Sequence, residues 1–152
     1  MADKIINLDL SPIRKKRIAI NGDENRILEL NTSDLNITNR LSEAYPKLTE
    51  LAHQISTLVM PETEDDVADL KAAADAWKAI DDEMRNLMDY IFDSNVSEMC
   101  APSGSMYDPI NGKLRFEWLI DILSDLYERE LQAEFNKVTK RIEKHTSKYV
   151  KK

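Results

Sequence analysis

No apolar run in this 152-residue chain approaches the roughly 18 residues needed to cross a bilayer. The opening stretch from Met1 to Leu10 places Asp3 and Asp9 among its apolar residues, which is not the pattern of a secretory signal. A single cysteine, Cys100, excludes an intramolecular disulfide framework. Only 3 glycines and 5 prolines are present, so tight turns are few, which argues against an all-β sandwich or barrel. Two histidines leave little for metal or acid–base chemistry, and there is no His-Glu-x-x-His, no phosphate loop, no dinucleotide fingerprint and no Cys-x-x-Cys. These features together predict a soluble cytoplasmic protein.

Hydrophobic residues make up 42% and charged residues 32%, enough for one core in a chain of one domain's length. The net charge of −7 is unevenly spread. Residues 62–93 hold 11 acids and 3 bases, whereas residues 137–152 hold 7 bases and 1 acid. Arg14-Lys15-Lys16-Arg17 adds a basic cluster near the start. Charged faces are normal on long amphipathic helices, and basic residues suit a helix C-terminus. The same layout also allows docking through opposite patches. Nucleic-acid binding has little support, because the chain is net acidic and its basic segments lack interleaved aromatics apart from Tyr149.

Residues 5–10 alternate, with Ile6, Leu8 and Leu10 on one face, as a strand would. Ser11-Pro12 interrupts them. Arg17-Ile18-Ala19-Ile20 and Arg26-Ile27-Leu28-Glu29-Leu30 flank Asn21-Gly22, which is a strong β-hairpin signal. Thr32-Ser33-Asp34 offers N-caps for a helix through Leu35, Ile37 and Leu41. Pro46 is expected to end or kink it, with a second helix from Lys47 to Met60. Pro61 stops that one, and Thr63-x-x-Asp66 resembles a capping box for a long helix. Its stripe runs through Val67, Leu70, Ala74, Trp77, Ile80, Met84, Leu87, Met88 and Ile91. Residues 93–113 read as a loop, with Val96 to Met99 suited to one helical turn and Pro109-Ile110-Asn111-Gly112 to a turn. A last helix over 115–146 carries Phe116, Ile120, Leu123, Tyr127, Leu131, Phe135, Val138 and Ile142, and a basic tail frays over 147–152. The expected fold is therefore mainly α (α+β): one domain over 1–152, with strands within 1–31, helices over 33–92 and about four helices in all.

The remaining chemical signals are weak. Glu50 and His53 have the Glu-x-x-His spacing of helical di-iron sites, but no second copy of the motif exists. Cys100 lacks a recognisable base and orienting partner, so it reads as a small apolar residue. Asp81, Asp82 and Glu83 are adjacent on a helix and point in different directions, as a solvated face does. No catalytic residue, metal or cofactor is predicted. Trp77, Met84, Met88 and Trp118 lie at helical spacing suited to a core, and a Met-rich face also suits an adaptable partner-binding surface.

The order of elements resembles the tail assembly chaperones of long-tailed, siphovirus-like bacteriophages. Four stretches carry the resemblance: Lys16 to Leu35 with its Asn-Gly turn, the acidic helix ending Met88-Asp-Tyr-Ile-Phe-Asp, the Asn95-Val-Ser-Glu-Met segment with its Ser-Gly-Ser loop, and the closing helix from Phe116-Glu-Trp-Leu-Ile-Asp. The resemblance covers most of residues 14–142. It implies a non-enzymatic protein of the host cytoplasm that binds the tape-measure protein, assists tail-tube assembly and self-associates, with no nucleic acid or membrane as partner. The alternative is an acidic phage inhibitor of a host defence nuclease or effector, whose acidic helix imitates the charge of DNA.

Overall fold

The computed structural model describes residues 3–10, 15–57 and 67–150, with the side chains of 67–69 and 145–150 left aside. Strands β1 (Lys16–Ile20) and β2 (Asp23–Leu30) form an antiparallel hairpin, as the sequence predicts. Asn21 and Gly22 both take positive φ, 53° and 75°, which the tightest hairpin turns require. Ile18 faces Leu28 and Lys16 faces Leu30. Near the turn the pairing slips from Ala19–Ile27 to Ile20–Asp23, so Glu24, Asn25 and Arg26 bulge out of register. The hairpin is anchored: Arg26 donates through Nη2 to the Met99 carbonyl at 2.6 Å, and the Ser94 hydroxyl donates to the Glu29 carbonyl. Leu28 and Leu30 enter the common core.

Helix α1 (Ile37–Thr57) is continuous through Pro46. The break expected at that proline does not occur. The backbone N–H missing at Pro46 would have bonded the Ser42 carbonyl, and both residues are exposed. Ala44, Leu48 and Leu51 meanwhile pack into the core on either side of the proline, and that shared burial outweighs the local preference. The anticipated proline stop and capping box at 61–66 lie outside the described residues.

Helix α2 (Val67–Phe92) runs antiparallel to α1. Arg40 near the start of α1 donates to the Ile91 carbonyl at the end of α2, 2.9 Å away, and Tyr90 donates to Glu43 at 2.5 Å. The Arg40 guanidinium thus sits where a helix C-terminus favours positive charge.

The segment expected as a loop contains the helical turn anticipated at Val96 to Met99, and the anticipated turn at 109–112 closes a short hairpin. Helix α3 (Val96–Cys100) fills one turn. Asp89 of α2 caps it from outside, accepting from the Ser97 N–H at 2.7 Å and the Ser97 hydroxyl at 2.8 Å. A second hairpin follows, β3 (Pro109–Ile110) with β4 (Lys113–Leu114), again closed by an Asn-Gly pair with positive φ. Arg85 of α2 holds the loop between them, donating to the carbonyls of Ser97, Ala101 and Gly104 while its Nε meets Asp81 at 2.8 Å. Gly104 takes a φ of 83°, which strains any residue with a side chain, and a Cβ there would push aside the ends of the Asp108 and Arg115 side chains, 2.7 and 2.9 Å away.

Helix α4 (Arg115–Val150) begins immediately after β4. Its 36 residues give a rod of about 54 Å. The Glu117 carboxylate accepts from the Leu114 N–H at 2.8 Å, which is one half of a capping box. The Arg115 and Phe116 N–H groups donate to the carbonyls of Asp108 and Met106. The helix continues past the anticipated end at 146, to Val150.

The core gathers Leu28 and Leu30 from the hairpin, Leu48 from α1, Met84, Met88 and Phe92 from α2, and Phe116 and Tyr127 from α4. Phe92 and Tyr127 meet with ring centroids 5.9 Å apart. Residues 3–10 form no ladder despite their alternation, because none of the described strands lies beside them, and Ile5 is 94% exposed. Among the described residues, no helix is long and apolar enough to cross a membrane. Among the described residues the architecture is α+β, four helices with an N-terminal hairpin, as expected.

Candidate functional site

The four residues singled out in the sequence as a partner surface do not form one. Met84 and Met88 are both 0% exposed, and they fill the centre of the core between the helices. This corrects the expectation for both: their spacing places them on the inward stripe of α2, and that stripe is covered by this chain itself. Trp118 is half-buried, its indole N–H donating to the Ile110 carbonyl at 2.6 Å and its ring lying 5.0 Å below the Lys113 ammonium. Its role is to hold the small hairpin against α4. Trp77 is half-buried on α2, with an indole N–H that finds no acceptor.

The chemical candidates are equally dispersed. Glu50 and His53 are exposed on α1, and among the described residues no cluster of His, Cys, Asp and Glu is placed to hold a metal ion. Asp81 accepts from the Met106 N–H at 2.7 Å as well as from Arg85, so it pins the loop, while Asp82 and Glu83 are exposed. Burial pushes the Cys100 thiol up, against the opposing pull of the nearby Arg26 charge, so it is held in its less reactive form.

A different surface stands out. Between the start of α1 and the middle of α4 lies an open groove of about 360 Å³. Ile37 and Leu41 line it from α1 and Tyr127, Leu131 and Phe135 from α4, together with the polar residues Thr38, Ser124, Glu128 and Gln132. Leu35 stands exposed beside it in the turn leading into α1. That turn is fixed by its own polar contacts: Asp34 accepts from the Asn36 N–H at 2.9 Å and from Arg40 at 2.6 Å. Burial raises the Asp34 carboxyl, but the Arg40 and Asn36 hydrogen bonds outweigh it and hold the group below its ordinary value.

The Tyr127 hydroxyl reaches the base of this region, is buried and has no hydrogen-bond partner. Burial, with a smaller contribution from the Asp34 charge, has pushed its pKa up to about 12. It therefore stays neutral, a donor without an acceptor. The exposed lining is mainly apolar, with Glu128 as its one charged residue, and it suits apolar side chains of a partner helix.

The apolar stripe of α4 continues past the groove. Every residue from Phe135 to Lys144 is exposed. Along this length Phe135, Val138 and Ile142 keep the apolar stripe going while 49%, 41% and 50% exposed. The sequence pattern places these residues on the stripe but does not single them out as a site. The available signal is the length of the stripe, longer than the remaining helices can cover.

These observations define a small α+β protein whose distinguishing surface is an apolar groove with a helical extension. Comparison with protein-family models, curated proteins and solved structures returned no match.

Proposed function

We propose that this protein is a non-enzymatic chaperone that seats apolar helix faces of a client, in the manner of the tail assembly chaperones of long-tailed bacteriophages. The client would be the tape-measure protein, with the tail-tube protein as a further partner in the host cytoplasm. The observation that carries the reading is the open apolar groove of Ile37, Leu41, Tyr127, Leu131 and Phe135. A groove of this kind takes the i, i+3, i+4, i+7 side chains of an amphipathic helix. Exposed apolar area of this extent is costly in water unless something covers it part of the time. The negative charge of the chain as a whole supports the reading further, since like charge keeps a complex with a greasy client dispersed.

Co-expression with the tape-measure protein tests the proposal. The client is expected in the soluble fraction with the native chain and in the insoluble fraction with Leu41→Asp, at least about tenfold less being captured. Equal client solubility with native chain, Leu41→Asp and no chain at all would refute the reading. The exposed acids Asp75, Asp82 and Glu83 on α2 favour one other outcome, a salt-sensitive complex with a nuclease or effector of a defence system.

A further inference from the structure

We propose that residues 5–10 are a strap that closes over the α1–α4 groove of the same molecule and lifts off when a client seats. The inference rests on that groove being the client's seat, and it adds how the seat is covered between clients. The structure holds the open form: Ile6, Leu8 and Leu10 are 86%, 76% and 55% exposed, and the groove stands empty of apolar side chains from elsewhere in the described chain. One polypeptide thus carries an uncovered apolar row and an uncovered apolar groove, and burying one in the other removes both from water.

Size and reach fit. An extended stretch from Ile6 to Leu10 spans about 13 Å, and it turns Ile6, Leu8 and Leu10 to one face. The groove side of α4, from Ser124 to Phe135, is about 16 Å long. Because the groove is open, the peptide groups of an extended segment stay hydrated or meet the polar lining residues Thr38, Ser124 and Gln132. The strap's root lies close by. Lys15 donates to the Asp93 carbonyl at 2.7 Å, and Lys16 pairs with Glu130 of α4. From Lys16 to Leu10 the chain reaches about 20 Å, enough to pass around a helix about 10–12 Å across. So short a tether sets an effective concentration on the order of millimolar, against which a client competes.

Charge selects the direction. Lys4 is the one base in residues 3–10, and Glu128 is the one charged residue of the lining. With Leu10 toward Phe135 and the strap antiparallel to α4, Lys4 arrives at the Ser124 end, within reach of the exposed Glu128. The opposite direction carries Lys4 past Phe135 to Lys137 and Lys140, where like charges repel.

The test attaches a nitroxide at Asn136→Cys, beside the groove, in a Cys100→Ala background of the full chain, and reads line broadening of backbone amides by nuclear magnetic resonance without client. Broadening is expected at residues 5–10, and Leu8→Asp is expected to remove it. Lys4→Glu is expected to reduce it, and the double variant K4E/E128K to restore it. No broadening at 5–10 overturns the proposal. Broadening seen only between a nitroxide-bearing chain and a separate isotope-labelled chain overturns it as well, because the occupant is then a second copy. A double variant no better than Lys4→Glu alone overturns the antiparallel direction. Capture of the tape-measure protein is the second readout. A strap closed two-thirds of the time lowers client affinity about threefold, so Leu8→Asp is expected to bind about threefold more tightly. Equal capture by Leu8→Asp and the native chain overturns the strap's control of the groove. Broadening at 5–10 with no capture by any variant sinks the chaperone reading and leaves the strap, whereas capture lost only in Leu41→Asp, with no broadening, does the reverse.

Discussion

The two halves of α4 carry the same apolar repeat in different surroundings. In the first half Phe116, Ile120, Leu123 and Tyr127 are buried against the rest of the chain. In the second, Phe135, Val138 and Ile142 recur at the same spacing and face water. What differs is the partner. The first half meets Phe92 at the end of α2, the hairpin and the loop held by Arg85, whereas beyond Phe135, at the edge of the α1–α4 groove, every described residue of α4 is exposed. A helical period in a sequence therefore marks a face that needs cover, and it is silent on whether the cover comes from the same chain.

Substitutions in the two halves should separate accordingly. Phe116→Ala is expected to cost about 3–5 kcal/mol in urea unfolding, because it opens a cavity at a side chain that is 1% exposed. A loss no larger than that of an exposed position would mean the first half is not core. Arg85→Ala comes next, at about 2–3 kcal/mol, since three loop carbonyls and Asp81 lose a charged donor. Faster amide exchange across residues 97–106 should accompany it.

Tyr127→Phe, at the boundary between the halves, is expected to stabilise by about 1 kcal/mol, because it removes a buried hydroxyl that has no partner. A destabilised variant would show that the hydroxyl is satisfied in solution. Asp34 gives a pH signature at the same boundary. Its carboxyl is held below the ordinary value in the fold, so its contribution is present at neutral pH and fades as pH falls through the lowered value. The stability gap between the native chain and Asp34→Asn should accordingly close on acidification. The smallest effect is expected from Ile142→Ala, within about 0.5 kcal/mol for the dilute monomer, read by the same urea titration.

Much of this architecture was legible in the sequence, and the failures have physical causes. The first hairpin was visible because Asn21-Gly22 sits between two alternating runs. The second uses the same dipeptide at Asn111-Gly112, but strands of two residues each are too short to show a period. The break expected at Pro46 does not form because burial of Ala44, Leu48 and Leu51 is a tertiary effect that no dipeptide rule contains. Met84 and Met88 were on the right stripe, but the sequence does not say which neighbour covers it. The groove was the least legible feature. It exists only where Ile37 of α1 comes to face Tyr127 and Leu131 of α4, a long-range approach that local pattern does not encode.

Gly104 has a consequence for how the protein tolerates change. The carboxylate of Asp108 and the guanidinium of Arg115 meet in the space its missing side chain leaves. Arg115 is also the residue from which the longest helix departs. Any larger residue at 104 would be strained by the φ of 83° and would push these two side chains apart, loosening the ion pair at the root of that rod. The base of the longest helix is thus tied to a backbone turn that glycine alone adopts at ease.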